Sequence, residues 1–170
     1  MATKARTLPF IALMAALANI LSLPPIALPV TPELTVHFTQ LPIFIAGIVA
    51  GPVGGLMAGA IGGLYMSLAK IPFIIGGLAI LGIANGIFSR RFRSIFAGLL
   101  AWLVQAPYVA FTDYIWFVMS PLQRTPEAAW AIVMPMLVLL TVEAVISSAL
   151  AEVIVRYLRK TRIVQQISGR

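Results

Sequence analysis

The chain has 170 residues, of which 61% are hydrophobic and only 10% are charged, and its mean hydropathy is +1.01. Soluble domains are typically about 45–50% apolar and about 25% charged. The composition therefore excludes an ordinary soluble domain, a disordered chain and a classical nucleic-acid-binding protein, despite the net charge of +7. A basic surface for nucleic acid is the rival interpretation of this charge, and the division of the cations among three short segments disfavours it. Because the chain has no cysteine and one histidine, we expect no disulfide and no metal site.

Six apolar stretches follow one another along the chain, separated by charged residues, proline and glycine. A spanning helix needs about 20 predominantly apolar residues, so the length allows six spans and almost no domain outside the membrane. The connection after the first stretch is rich in proline, and the second stretch breaks at Gly51-Pro52. The sequence predicts an all-α, single-domain bundle over 1–170, with transmembrane helices at approximately 8–23, 38–50, 52–69, 72–88, 94–119 and 127–155.

The distribution of Lys and Arg predicts the orientation of this bundle. With six crossings, only Lys70 and Arg124 fall on one side. Cytoplasmic loops carry the excess of positive charge, so both termini are predicted to be cytoplasmic in a multi-pass plasma-membrane protein. The cations on the cytoplasmic side are Lys4, Arg6, Arg90, Arg91, Arg93, Arg156, Arg159, Lys160, Arg162 and Arg170.

The first stretch has two other interpretations besides an ordinary span. Basic residues precede it and Ala16-Leu17-Ala18 resembles a signal-peptide cleavage site, although the apolar run continues to Leu23, which favours an uncleaved helix. Its small residues Ala12, Ala15 and Ala16 either pack within the bundle or form a docking face for another membrane subunit. In the third span, Gly55, Gly59 and Gly63 recur every four residues, which favours close packing inside the bundle.

The fifth span carries a stripe of hydrogen-bonding and aromatic side chains. A flat, partly polar ligand needs a ring to stack on and polar groups to fix its orientation, so the stripe is predicted to be the wall of a binding pocket. Alternatively, Tyr108 packs in the core, Trp116 belongs to the interfacial belt and Asp113 faces headgroup water. The stripe consists of Gln105, Tyr108, Thr112, Asp113 and Trp116.

Other polar residues lie in or near the spans. Glu143 falls near the bilayer middle, where ionisable groups are costly and usually functional. His37 enters the second span beside Thr39 and Gln40, and Lys70 follows the third; each is either a ligand contact or an interfacial residue. Three further expectations are structural: Asn19 and Asn85 bridge helices, and Glu152 pairs with Arg156 one turn away.

No motif indicates catalysis. The sequence has no phosphate-binding loop of the G-x-x-x-x-G-K-[ST] type, no Gly-x-Ser-x-Gly and no His-Glu-x-x-His. We therefore expect neither an enzyme nor a resident cofactor, and any ATP hydrolysis must come from partner proteins.

These features together resemble the substrate-binding S component of energy-coupling factor (ECF) vitamin transporters. The resemblance covers nearly the whole chain: six spans with cytoplasmic ends, Ala12-x-x-x-Ala16 on the first span, a long first loop, and the junction from Leu41 to Leu56 with its Gly-Pro and glycine-rich helix. It implies capture of a vitamin or precursor from outside, in a pocket closed by the first loop. It also implies docking through Ala12, Ala15 and Ala16 on a transmembrane coupling protein with two ATPases.

The resemblance and the physical pattern together select the candidate residues. The predicted substrate-binding residues are Gln105, Tyr108, Thr112, Asp113, Trp116, Glu143, Lys70 and His37. The spans contain two acidic residues, whereas the outer side offers one lysine to the pocket. This balance of charge favours a nitrogen-containing, neutral or cationic ring compound as the ligand. The alternatives are a self-sufficient secondary transporter or oligomeric membrane protein, for which we see no internal repeat, and a membrane-embedded assembly factor.

Overall fold

The computed structural model describes residues 2–31, 34–120, 123–158 and 160. Glu33, Arg159, Arg162 and Arg170 lie outside the described residues, as do the side chains of Lys4 and Arg6. Within the described residues the chain is almost entirely helical. Its elements are α1 (Ala2–Leu21), β1 (Leu28–Pro29), β2 (Thr35–Val36), α2 (Gln40–Gly62), α3 (Leu64–Ala69), α4 (Ile74–Phe88), α5 (Ser94–Met119) and α6 (Pro126–Leu158).

The helices are those of a membrane bundle. Three segments of the described chain are long and apolar enough to cross a bilayer, namely Gln40–Ala69, Ser94–Met119 and Pro126–Leu158, and Thr7–Leu21 and Ile74–Phe88 are shorter apolar helices. A helical, membrane-type bundle is therefore confirmed, whereas the count of six crossings and the cytoplasmic termini remain predictions. The Pro-rich first connection contains a short antiparallel hairpin, in which Leu28 pairs with Val36 and Pro29 with Thr35.

The chain reverses within α2. Gly51 has φ 75° and ψ −170°, a conformation that glycine adopts because it has no Cβ, and Pro52 follows it. Eight residues of straight helix would span about 12 Å, yet a Cβ built on Gly55 would lie 3.0 Å from the Cα of Gly47. The arms on either side of Gly51 are therefore packed against each other, and the break lies where the sequence predicts it.

The glycines after this reversal bring α2 and α4 into backbone contact. A Cβ on Gly55 would overlap the carbonyl oxygen of Gly82, and one on Gly59 would overlap that of Leu78. The contact advances along α2 as it retreats along α4, so these two segments are antiparallel. The small-residue stripe thus serves packing inside the chain.

Asn19 joins three helices, as the sequence predicts. Its Nδ2 donates to the carbonyl oxygens of Ala15 (3.0 Å) and Ile61 (2.9 Å), and its Oδ1 accepts from the backbone N–H of Tyr65 at 2.9 Å. Asn85 is also fully buried, but neither of its amide atoms has a hydrogen-bond partner among the described residues. The expected bridge is therefore present at Asn19 and absent at Asn85.

The two ends of the bundle differ in their polar contacts. At one end, the predicted ion pair between Glu152 and Arg156 forms at 2.6 Å, and Glu152 also accepts the backbone N–H of Ser94 at 2.8 Å, which caps the first turn of α5. Arg90 lies at this end, beside Gly51. At the opposite end, β2 meets the loop after α3. The candidate site lies towards this second end.

Candidate functional site

A cavity lies among the helices of the bundle, beneath the hairpin of the first connection. Together with its open mouth it encloses about 780 Å³ of space that no protein atom occupies. Most of its wall is apolar, as in sites that hold a ring-shaped ligand. The lining residues are Thr35, His37, Gln40, Met66, Lys70, Ile71, Phe73, Ile74, Gly77, Leu78, Gln105, Tyr108, Val109, Thr112, Asp113, Met136, Leu139 and Leu140.

Helix α5 supplies the polar wall. Gln105, Tyr108, Thr112 and Asp113 all line the cavity, since residues three, four and seven apart share one helix face. Gln105 is 4% exposed and Asp113 is 5% exposed. Trp116, the fifth member of the predicted stripe, does not line the cavity. It packs against the apolar cluster of Ile71, Phe117, Ala129 and Val133.

Tyr108 is positioned by two neighbours on α4 and the loop before it. Its hydroxyl donates to the carbonyl oxygen of Phe73 at 3.2 Å, and its ring lies against Gly76, where a Cβ would overlap the phenol. The missing side chain at Gly76 therefore makes room for the aromatic ring. This contact places the ring at the cavity wall.

The mouth of the cavity is formed by β2 and the loop after α3. Lys70 Nζ donates to Thr35 Oγ1 at 2.6 Å, which ties these two segments together. Partial burial lowers the pKa of Lys70 below its ordinary value, whereas the nearby carboxyl group of Glu143 acts in the opposite direction. Lys70 and His37 both line the cavity as predicted rim residues.

Glu143 anchors the first connection from α6. It is 1% exposed, and its Oε1 accepts the backbone N–H of His37 at 2.8 Å while its Oε2 lies 3.5 Å from His37 Nδ1. Burial, with a smaller contribution from Lys70, lowers the pKa of His37 to about 4, so its imidazole is neutral near pH 7. Glu143 lies behind His37 and does not line the cavity, which makes it a support of the rim.

Gln40 is a polar cavity residue that was not among the predicted substrate-binding residues. It is the first residue of α2, is 1% exposed, and donates from Nε2 to the carbonyl oxygen of Leu140 at 3.4 Å. The available signal was a polar residue at the start of an apolar helix, next to His37. The apolar wall from α6 (Met136, Leu139 and Leu140) gave no signal, since such residues equally suit a lipid-facing surface.

Two buried amide oxygens in this cavity lack partners. Gln40 Oε1 and Gln105 Oε1 have no hydrogen-bond partner among the described residues. Buried polar groups are nearly always hydrogen-bonded, so exceptions call for a physical explanation. A ligand that hydrogen-bonds to the two amides would supply the missing partners.

Within the described residues, no group of three or more His, Asp or Glu side chains could hold a metal ion.

The predicted docking residues divide between two faces of α1. Ala12 and Ala16 are exposed, beside exposed Leu13 and Leu17, whereas Ala15 is only 1% exposed. Ala15 is buried because its backbone packs beside Gly62 of α2. An open face of α1 therefore includes Ala12 and Ala16 but cannot include Ala15.

Comparison with known proteins places this architecture in a family. The family model described as the 5TMR of 5TMR-LYT matches residues 2–154. The chain belongs to this family. The 5TMR chain is also similar in fold to a solved structure of the S component of a bacterial ECF transporter, with 18% sequence identity, a TM-score of 0.57, and coverage of 92% of this chain and 95% of that one. No curated protein matches the sequence.

The solved structure bears on the resemblance found in the sequence. At 18% identity the likeness concerns the fold alone, and it extends over almost the full length of both chains. The 5TMR chain therefore shares the architecture of an ECF S component, in agreement with the resemblance.

Proposed function

We propose that this protein is the substrate-capture subunit of an ECF-type importer. In this role it binds a vitamin or vitamin precursor from outside the cell and delivers it through a transmembrane coupling protein and two ATPases. The observation that carries the proposal is the cavity with two buried, unpartnered amide oxygens, set in a fold shared with an S component. Such oxygens suit a small ligand that donates hydrogen bonds.

The residues around the cavity favour binding over catalysis. A nucleophilic hydroxyl needs an adjacent base within about 2.6–3.2 Å, but the Thr112 hydroxyl donates to the backbone carbonyl of Tyr108 and the Tyr108 hydroxyl to that of Phe73. His37 faces the carboxyl group of Glu143 at the rim. These hydroxyl and imidazole groups are placed to maintain the shape of the cavity and not to activate a nucleophile. Their arrangement supports a transport subunit that is not an enzyme.

The charge distribution supports an orientation for this role. In the proposed topology, six spans place the loop of Arg90, Arg91 and Arg93 and both termini in the cytoplasm, and the cavity mouth at Lys70 faces outside. The ends of the bundle differ accordingly, since Arg90 and Arg156 lie at the end opposite Lys70. A plasma-membrane location follows from uptake as the proposed function.

Mass spectrometry of small molecules that co-purify with the protein tests the proposal. We expect one organic compound at a near-equimolar ratio to the chain. Uptake of this compound into cells should require a coupling protein and its ATPases. Uptake by the chain alone would instead establish a self-sufficient secondary transporter, and the lack of any bound compound would contradict a capture subunit.

Replacing Gln105 tests the cavity directly. We expect Gln105→Ala to weaken binding of the co-purified compound by at least about tenfold, or about 1.4 kcal/mol, because the variant removes a buried hydrogen-bonding group. Isothermal titration of the purified protein measures this change. Leu103→Ala is the matched control, since Leu103 lies on the same helix but is 64% exposed. Equal affinities of the two variants would remove Gln105 from the site.

A further inference from the structure

Two hydroxyl groups of the cavity wall, those of Tyr108 and Thr112, already donate their protons within the protein. Tyr108 Oη donates to the carbonyl oxygen of Phe73 at 3.2 Å, and Thr112 Oγ1 donates to that of Tyr108 at 2.8 Å. A hydroxyl has one proton and two acceptor lone pairs. Towards a ligand, Tyr108 and Thr112 can therefore act only as acceptors.

The amides in the cavity also present acceptors. Gln40 uses its Nε2 to donate to the carbonyl oxygen of Leu140, which leaves Oε1 without a partner. The amide nitrogen of Gln105 lies against Gly77 of α4, and its Oε1 is likewise buried without a partner. Both oxygens belong to side chains that are more than nine-tenths buried. Neither oxygen receives a hydrogen bond from the described part of the protein, so each keeps the capacity to accept one.

The carboxyl group of Asp113 completes this acceptor wall. Asp113 is 5% exposed and lines the cavity, and no Lys, Arg or His in the described part of the chain forms an ion pair with it. A buried carboxylate is costly unless it is paired, and a cationic partner shifts such a group towards its charged form. A positively charged group on a ligand would provide that pairing.

The cationic donor of the cavity lies at its mouth. Lys70 Nζ is bonded to Thr35 Oγ1 at 2.6 Å, and Thr35 and Lys70 come from the hairpin and from the loop after α3. His37 lies beside them, with its backbone N–H already donated to Glu143. The cavity is thus polarised, with acceptors along α5 and at the start of α2, and its cation at the rim.

We propose that the ligand of this cavity is a small cationic ring compound that carries several N–H donors. Its protonated nitrogen faces Asp113, its other N–H groups donate to Gln40 Oε1 and Gln105 Oε1, and its ring lies on the apolar wall from α4 and α6. This inference rests on the proposed function, since it assumes that the cavity is a ligand site. It excludes carboxylate ligands from the acceptor wall.

Three probes of nearly the same shape separate charge from shape. Benzamidinium carries a cationic group with four N–H donors, benzamide is neutral, and benzoate is anionic with acceptors only. We expect benzamidinium to bind the purified full chain in detergent at least about tenfold more tightly than benzoate, with benzamide between them. Thermal stabilisation and equilibrium dialysis at one ionic strength give the three dissociation constants.

Asp113→Asn identifies the source of the charge preference. We expect this variant to weaken benzamidinium binding by about tenfold or more, while benzamide binding changes by less than about threefold. Glu127→Gln is the matched control, because it makes the same chemical change at an exposed acid of α6 away from the cavity, and it should retain the wild-type order of the three probes.

The possible outcomes separate this inference from the proposed function. Each of three results overturns the cationic ligand class. These are tighter binding of benzoate than of benzamidinium, no detectable binding of benzamidinium at about 20 mM, well above a millimolar dissociation constant, and an unchanged charge preference in Asp113→Asn. None of these results depends on the coupling protein or its ATPases. If uptake fails to require those partners while the probe order holds, the importer assignment falls and the ligand class stands.

Discussion

His37 is a buried titratable group of the first connection, and its burial links the stability of the fold to pH. The pKa of His37 is about 4 in the folded protein, against 6.5 for an exposed histidine. Between these values the unfolded chain binds a proton that the folded chain does not bind. Acidification through this range therefore favours the unfolded state, and the stabilisation is complete only above about pH 6.5.

A comparison with His37→Gln isolates this effect. We expect the unfolding free energy of the wild type to fall by about 3 kcal/mol more than that of the variant between pH 7 and pH 4, at about 1.4 kcal/mol per pKa unit. Chemical unfolding in detergent at several pH values measures the difference, and the acidic residues common to both proteins cancel. Parallel pH profiles for the two proteins would contradict a neutral, buried His37.

For individual residues, the sequence predicts those side-chain directions that helix periodicity determines. Gln105, Tyr108, Thr112 and Asp113 line one cavity because their spacing puts them on one face of α5. Periodicity gives the direction of a side chain but not how far a cavity extends along the helix axis, so Trp116 was predicted to line it and instead packs against an apolar cluster. The partners of Gln40 and Glu143 lie about a hundred residues away in the chain. Such contacts cannot be read from local spacing.

The contact between α2 and α4 depends on two glycines whose backbones touch. A Cβ on Gly82 would overlap the carbonyl oxygen of Gly55, and backbone atoms cannot move aside as a flexible side chain can. We expect Gly82→Ala to destabilise the protein by about 1–3 kcal/mol, the usual cost of overpacking. Val53→Ile is the control, because it also adds one methylene but at a side chain that is 66% exposed. Equal thermal stability of the two variants would argue against this contact.

The elements themselves were predictable to different degrees. The break at Gly51-Pro52 is a local conformational signal, and the structure interrupts α2 there. The first helix ends at Leu21, two residues before the predicted boundary, and it begins at Ala2 within the polar segment. The hairpin of β1 and β2 was not predicted, since strands of two residues carry no periodicity and are positioned by tertiary contacts such as that between Lys70 and Thr35.

For the molecule as a whole, the exposed face of α1 offers a way to separate ligand binding from transport. We expect Ala16→Trp to abolish uptake while leaving binding of the co-purified compound within about twofold, because the bulky ring would block a close helix contact with a partner without reaching the cavity. Uptake assays and titration of the same variant give the two readouts. Val138→Trp, on a 66% exposed position of α6, should retain both. Full uptake by Ala16→Trp would place the partner elsewhere.

The reversal at Gly51 also bears on the order of assembly in the bilayer. The arms of α2 meet through residues as close in sequence as Gly47 and Gly55, so closing this contact restricts a very short loop and loses little chain entropy. Contacts of short sequence separation form early in folding, and we expect residues 40–62 to pair before α4, α5 and α6 are in place. The surface on which α1 and α4 later pack is therefore encoded within one short stretch of the chain.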